Sequence, residues 1–268
     1  MYFSVLMSLY NKENPVFLDK CLESLFNQTL KANEIVMVFD GPISNDLLEV
    51  VMKWKKKLPI VEFPLEFNVG LGKALNYGLL KCSHELVARM DTDDICLPHR
   101  FERQILEFKT DSSLDICGSN IIEIEPISLK RICERKVYST HSKILSDLVW
   151  RNPFNHMTVM FKRSSVIDVG SYIDLPWMED WYLWLRLLSS GYKASNIDSA
   201  LVLARTGDNM ITRRTGLNYI KSEWVMTKYK VSSKQFSLPV CLLAFLKRSI
   251  PRVFPKYVLS NIYKLSRR

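Results

Sequence analysis

The chain has 268 residues, of which 47% are hydrophobic and 24% are charged, and this composition excludes a disordered chain, a low-complexity chain and a small disulfide-stapled module. The formal net charge of +9 comes from the C-terminus, because residues 224–268 contain ten Lys and Arg and no acidic residue, whereas positions 1–223 hold 27 basic and 28 acidic residues. The nearly neutral body predicts no nucleic-acid partner, and the basic tail favours an anionic one.

The first 95 residues alternate short apolar runs with helical patterns. Their order predicts a parallel sheet with right-handed crossovers and helices on its faces. The predicted elements are a strand at 3–9, a helix with its apolar face at 17–26, a strand at 34–39, a helix at 46–56, a strand at 60–63, a helix at 72–81 and a strand at 85–90.

The second half is less regular. It predicts helices at 98–109, 142–150 and 179–189, extended segments at 114–124 and 157–162, and a basic helical stretch from residue 213 onward, broken at Pro239, Pro251 and Pro255. We therefore divide the chain into a domain at 1–212, with halves at about 1–95 and 96–212, and a tail at 213–268. The tail is expected to be a lid, a membrane-associating segment, or both.

The cysteines and the apolar segments indicate the cellular compartment of the protein. The six cysteines form no Cys-x-x-Cys pair and are expected to be reduced thiols. The N-terminus does not show the pattern of a secretory signal, and the apolar stretch at 236–246 is too short to span a bilayer. A cytoplasmic protein is expected.

Polar and acidic residues follow three of the predicted strands, at Ser8–Asn11, Asp40–Gly41 and Asp91–Asp94. Because the carboxyl ends of parallel strands meet at one edge of a sheet, these residues should lie together. Three carboxylates within residues 91–94 repel one another unless a hard divalent cation neutralises them. The alternative is an acidic turn that caps the helix beginning near Pro98.

A second acidic pair, Glu179–Asp180, precedes the tryptophan-rich helix. A carboxylate in this position can act as a general base. The alternative is that both residues complement the dipole of the helix in its first turn.

Taken in chain order, these motifs resemble the inverting family-2 glycosyltransferases of the GT-A fold over about residues 1–215. Within that family the chain looks most like bacterial enzymes of O-antigen and exopolysaccharide assembly, which extend lipid-diphosphate-linked sugars. The motifs are Tyr10-Asn11, Asp40-Gly41, the segment 68–78, Asp91-x-Asp93, Pro98-x-Arg100 with Arg103 and Gln104, Glu179-Asp180-Trp181, and Arg205 before Arg213-Arg214.

The resemblance implies a Rossmann-like, mostly parallel central sheet flanked by helices, with a basic helical C-terminal extension, and it implies a role for each matching residue. Asp180, together with Glu179, would be the catalytic base, and Asp93 with Asp91 would hold Mn²⁺ or Mg²⁺. The nucleotide-sugar would be bound by Ser8, Tyr10, Asp40, Lys73, Asp91, Arg205, Arg213 and Arg214. One departure is that Phe39-Asp40 stands where many relatives have two acidic residues. For Arg213 and Arg214 the alternative is a solvated start of a basic helix.

The implied reaction is metal-dependent and inverting. A hexose, glucose or galactose, would pass from a UDP-sugar to a GlcNAc- or GalNAc-diphosphate-undecaprenyl acceptor and form a β-linkage, with β1,3 as the expected position. The basic tail would hold the protein peripherally at the anionic inner face of the cytoplasmic membrane. The alternatives are a Mg²⁺-dependent nucleotidyl or phosphoryl transferase and a non-catalytic membrane-binding module.

Overall fold

The chain folds around one central sheet in the computed structural model, which describes residues 1–206 and 217–253. Within the described residues the sheet has nine strands, with β7 paired to β6 and the others in the order β3-β2-β1-β4-β8-β6-β9-β5. The strands are β1 (Phe3–Leu9), β2 (Glu34–Phe39), β3 (Ile60–Pro64), β4 (Leu86–Arg89), β5 (Ile95–Cys96), β6 (Leu114–Ile124), β7 (Arg131–Arg135), β8 (Met160–Lys162) and β9 (Lys193–Arg205).

Helices flank this sheet. They are α1 (Pro15–Phe26), α2 (Asn45–Lys55), α3 (Leu71–Lys81), α4 (Arg100–Thr110), α5 (His141–Asp147), α6 (Arg163–Asp168), α7 (Glu179–Ser189), α8 (Leu217–Ser232) and α9 (Leu238–Ser249). Local sequence determines where α1 begins. Asn14 caps the helix, because its Oδ1 accepts a hydrogen bond from Val16 N at 2.9 Å, and Pro15 takes the first helical position. The predicted α/β architecture is confirmed.

The N-terminal half is parallel, as predicted, with β1 between β2 and β4 and with β3 outside β2. Val5 and Met7 of β1 belong to one buried cluster, and Leu6 belongs to the cluster on the other face of the sheet. Both faces are therefore covered, which explains why these strands are continuously apolar instead of alternating.

The second half adds antiparallel pairs. Strand β8 runs antiparallel to both β4 and β6, whereas the long strand β9 is parallel to β6 and antiparallel to β5. The sequence patterns did not predict β5, β7, β9 or α6.

The C-terminal helices pack on the body of the protein. Tyr219 and Met226 of α8 lie in the same buried cluster as Trp181, and Cys241 and Ala244 of α9 lie with Val149. None of the helices in 1–206 and 217–253 combines the length and apolar character that crossing a bilayer requires. The predicted boundary at 212/213 lies outside the described residues, as do Arg213, Arg214 and residues 254–268.

Candidate active site

The loop after β2 is tied to the start of α3 by one carboxylate. Asp40 is buried, and it accepts hydrogen bonds from Asn68 Nδ2 at 3.0 Å, Val69 N at 2.7 Å and Gly70 N at 3.1 Å. The neighbouring Gly41 has φ +84°, and a Cβ there would lie 2.7 Å from Asn68 N, so the turn requires glycine. Asp40 thus fixes the shape of the nucleotide-side loop, and its predicted contact with the nucleotide stays a prediction.

The segment 68–78 connects several parts of the site. Gly72 places α3 next to the start of α7, since a Cβ on Gly72 would lie 3.6 Å from Glu179 Cγ, an ordinary van der Waals distance. Asn76 is bonded to the backbone of Tyr172, donating to its carbonyl at 2.6 Å and accepting from its N–H at 2.8 Å. Gly78 faces the sheet, where a Cβ would lie 2.5 Å from Leu6 Cδ1. Gly78 therefore serves the close packing of α3 on the sheet.

The acidic residues that follow β4 form a cluster. Asp91, Asp93 and Asp94 each bring one carboxylate oxygen within 4.8 Å of the others. Burial and repulsion from Asp91 raise the pKa of Asp93 to about 6, and burial and repulsion from Asp93 raise the pKa of Asp94 well above its usual value. A hard divalent cation would favour the ionised forms of Asp93 and Asp94, and it prefers carboxylate oxygens as ligands.

Two arginines border the cluster. Arg89, at the end of β4, is buried and forms an ion pair with Asp91. Arg205, at the end of β9, donates its backbone N–H to Asp94 Oδ1 at 2.8 Å and its guanidinium to the carbonyl of Asp93. The structure thus brings Arg205 to the acidic cluster, where it fixes the loop, and its predicted contact with the diphosphate stays a prediction.

Glu13, in the loop after β1, is a fourth acidic residue near the cluster that the sequence analysis missed. Burial, followed by repulsion from Asp93 and Asp91, raises the pKa of Glu13 to about 7. Its position beyond Tyr10-Asn11 at the carboxyl end of a strand was the signal that could have found it.

Asp180 lies at the start of α7, facing the loop that follows α5. Its Oδ1 accepts a hydrogen bond from Trp181 N at 2.7 Å, and its Oδ2 accepts one from Asn152 Nδ2 at 2.6 Å. Beside it, burial raises the pKa of Glu179. Asn152 was not predicted as a site residue, and its contact holds the Asp180 carboxylate in one orientation.

A tyrosine–histidine pair lies close to both the acidic cluster and Asp180. The Tyr172 hydroxyl and His156 Nε2 share a hydrogen bond of 2.9 Å. Burial raises the pKa of Tyr172, and the charges of Asp180 and Asp91 act in the same direction. Burial and the charge of Arg89 lower the pKa of His156 well below its usual value, so His156 is neutral and the pair is a polar contact between the two acidic parts of the site.

The remaining predicted residues are less closely tied to this centre. Ser8 and Tyr10 stand at the carboxyl end of β1, as predicted. Lys73 lies on α3, where its Nζ is 3.4 Å from a carboxylate oxygen of Asp174 in an exposed ion pair. Their predicted contacts with the donor stay predictions.

Known proteins that are similar to this chain are glycosyltransferases. The glycosyl transferase family 2 model matches residues 4–172. The amylovoran biosynthesis glycosyltransferase AmsE of Erwinia amylovora is 45% identical over 266 residues, covering 99% of both chains. The UDP-Gal:alpha-D-GlcNAc-diphosphoundecaprenol beta-1,3-galactosyltransferase of Escherichia coli is 36% identical, covering 98% of this chain and 95% of its own.

Solved structures show the same fold at low sequence identity. Residues 1–349 of S. aureus TarS in complex with UDP-GlcNAc superpose with a TM-score of 0.70 at 19% identity, covering 95% of this chain and 73% of that one. The mannosyltransferase PcManGT of Pyrobaculum calidifontis, in complex with GDP-Man and Mn²⁺, gives a TM-score of 0.60 at 14% identity, covering 98% and 79%. The fold, the acidic cluster after β4 and the family match lead to one conclusion: this chain belongs to glycosyl transferase family 2.

Proposed function

We propose that the protein transfers a hexose, galactose or glucose, from a UDP-sugar to a GlcNAc- or GalNAc-diphosphate-undecaprenol acceptor in the assembly of a bacterial exopolysaccharide or O-antigen. The acidic cluster after β4, together with the oriented carboxylate of Asp180, carries this proposal. The relatives from E. amylovora and E. coli support it, since one takes part in amylovoran biosynthesis and the other acts on a diphosphoundecaprenol-linked GlcNAc. The E. coli relative also favours galactose and a β1,3 linkage.

Asp91 and Asp93 are the proposed ligands of Mn²⁺ or Mg²⁺. The donor set fits such an ion, because the carboxylate oxygens lie within 4.8 Å of one another and the pKa of Asp93 is raised to about 6, which a positive charge would lower. When bound, the cation stabilises negative charge on the departing diphosphate. Arg205, Arg213 and Arg214 are proposed to share that task, and Ser8, Tyr10, Asp40 and Lys73 to hold the rest of the donor.

Asp180 is the proposed general base. As the acceptor hydroxyl attacks the anomeric carbon, its proton passes to the Asp180 carboxylate, a new C–O bond forms, and the bond from the anomeric carbon to the diphosphate breaks to release UDP. Oδ2 accepts one hydrogen bond from Asn152 and keeps a second lone pair for the acceptor. A positioned base typically contributes about 10²- to 10⁴-fold. A single displacement inverts the anomeric configuration, so an α-linked donor gives a β-glycoside.

The proposed acceptor is lipid-linked. We therefore place the protein peripherally at the inner face of the cytoplasmic membrane, where UDP-sugars and the acceptor headgroup meet.

The test is release of UDP from a panel of UDP-sugars with GlcNAc- and GalNAc-diphosphate-lipid analogues, with and without Mn²⁺. Wild type, Asp93→Ala and Asp180→Asn are compared, with Asp46→Asn as a control on the exposed start of α2. We expect metal-dependent turnover of one donor that Asp46→Asn retains and the two site variants lose while keeping a native circular dichroism spectrum. Turnover that survives Asp180→Asn would refute the base, and the absence of turnover with every donor would refute the substrate class.

A further inference from the structure

Helix α9 exposes a continuous apolar face. Leu238, Leu242, Leu243, Leu246 and the adjoining Ile250 are each 40–57% exposed. At 100° per residue they occupy an arc of about 140° on one side of the helix. The opposite side carries the small buried residues Cys241 and Ala244. The helix therefore packs its small side chains against the protein and exposes its large aliphatic side chains.

The surroundings of this apolar face are basic and aromatic. The exposed Lys247 borders it on one side, with its Nζ 5.7 Å from the Trp150 ring. On the other side Phe245 packs edge-on against the exposed Trp224 at 5.3 Å, and Lys228 lies next to Trp224 on α8. Aliphatic side chains bordered by lysines and tryptophan are the pattern of a helix that lies in the headgroup region of a bilayer.

Residues 217–253 add no exposed acidic side chain to this surface. Glu223 is the only acidic residue in the sequence from 217 to 253, and it is fully buried, 2.7 Å from Arg248 Nε and 3.6 Å from Lys230 Nζ. We propose that the α9 apolar face, Leu238, Leu242, Leu243, Leu246 and Ile250, docks the protein on an anionic lipid bilayer.

A second copy of the chain is a poorer occupant. A two-fold interface brings the same surface of both subunits together, and that would set lysines against lysines with no exposed carboxylate from residues 217–253 between them. Anionic lipid phosphates supply the opposite charge instead.

The α9 apolar face lies beside a groove that reaches the loop following α5. The groove runs between α5 and α9 and is lined by Leu145, Val149, Trp150, Phe236 and Val240. Two residues beyond Trp150 is Asn152, which binds Asp180. A bilayer on the α9 face therefore brings lipid close to the loop that holds the base, and the purpose of the docking rests on the proposed function.

The test is co-sedimentation of the full chain with vesicles that contain phosphatidylglycerol, compared with vesicles of phosphatidylcholine alone. The test variant is Leu243→Gln with Leu246→Gln, which removes apolar surface without changing charge. The control is Leu80→Gln with Leu106→Gln, two exposed leucines on α3 and α4. Binding is measured without donor or acceptor, so its outcome is independent of turnover.

We expect wild type and the control to bind anionic vesicles, and the α9 variant to lose at least about tenfold in partition coefficient, since a buried leucine side chain corresponds to about tenfold or more. Lys228→Gln with Lys247→Gln should reduce the salt sensitivity of binding. Light scattering and thermal unfolding complete the test. The proposal would be overturned if wild type did not bind the vesicles or if all variants partitioned equally. It would also be overturned if wild type were a dimer that the α9 variant breaks, or if that variant lost cooperative unfolding.

Discussion

Asp40 shows how a single side chain combines a local structural role with a predicted functional one. The sequence predicted it as a polar residue after a strand, and the structure adds that its carboxylate holds Asn68, Val69 and Gly70. The loop and the start of α3 depend on that carboxylate because all three partners are donors. Sequence periodicity gives the place of such a residue but not its partners, which come from 28 to 30 positions away.

Replacing Asp40 with Asn should therefore weaken both folding and donor binding. An amide offers one acceptor oxygen and turns the other position into a donor, so a buried N–H of the loop loses its partner at a cost of about 1–3 kcal/mol. We expect a lower free energy of unfolding in urea and a lower kcat/KM for the UDP-sugar. The exposed Asp46→Asn is the control, and an Asp40→Asn protein with unchanged stability would contradict this interpretation.

Glu13 and Asp93 give the metal-free protein a defined pH dependence. Their pKa values are raised to about 7 and about 6 in the folded state, so between their ordinary values and these values the folded chain binds more protons than the unfolded chain. Their contribution to the free energy of unfolding of the metal-free protein therefore decreases as the pH rises from about 4 to 7. Mn²⁺ should offset the loss, giving a larger increase in Tm at pH 8 than at pH 5.5.

Glu13→Gln provides the specific check by thermal unfolding. The variant removes one of the titrating carboxylates, so its metal-free stability should fall less than that of wild type as the pH rises through 7. Glu23→Gln on the exposed side of α1 is the matched control and should follow wild type. If the stability of Glu13→Gln matched that of wild type at every pH, the Glu13 carboxylate would not be repelled by its acidic neighbours.

At the scale of elements, α8 and α9 hold the first turn of α7 through the Trp181 ring. The Trp181 indole donates to the Leu148 carbonyl at 3.0 Å, and two cations lie against the ring, Lys230 Nζ at 4.4 Å and Arg248 Cζ at 4.2 Å. Trp181 directly follows Asp180, so the C-terminal helices support the position of the proposed base. The sequence pattern predicted Trp181 as part of a buried face and gave no sign of the two cations.

The buried Lys230 predicts a pH effect that can be assigned to one residue. Burial lowers the pKa of Lys230 to about 8, so between about 8 and 10.5 the unfolded chain binds a proton that the folded chain has released. Stability relative to a Lys230→Met variant should therefore rise with pH across this window, by at most about 1.4 kcal/mol per pH unit. Lys228→Met, an exposed lysine on the same helix, should show no such difference from wild type. Parallel stability curves for wild type and Lys230→Met would refute the assignment.

The sequence predicted correctly those elements whose structure follows from their own local residue pattern. Strands β1 and β2 and helix α7 have the predicted bounds, because a doubly covered strand is apolar throughout and α7 repeats its apolar face every three or four residues. Strand β9 was missed because Ser195, Asn196 and Asp198 interrupt its pattern. Its stability comes from pairing with β6 along its length and from Asn196 Nδ2, which donates to the Tyr138 carbonyl at 2.7 Å.

The same reasoning applies to the site. The places of the acidic cluster and of Asp180 in the fold could be predicted because each follows or begins an element with a clear pattern. Glu13, Asn152 and Tyr172 belong to loops, and they come together through contacts between distant parts of the chain, such as Asn152 with Asp180 and Tyr172 with Asn76. No local pattern specifies such contacts.

For the whole molecule, the packing of α8 implies that residues 217–253 unfold together with the sheet. Tyr219 and Met226 share a buried cluster with Leu6 and Val87 of β1 and β4, and Lys230 donates to the Val149 carbonyl at 3.1 Å. Native-state hydrogen exchange should therefore give the amides of α8 nearly the same opening free energy as those of β1, while the exposed turn at 125–130 exchanges early.

A chain that ends at residue 216 should lose cooperative unfolding, because its truncation exposes the Trp181 side of α7. Fast exchange in α8 with full protection in β1, or a truncated chain with a native unfolding transition, would instead show that the C-terminal helices are a separate unit.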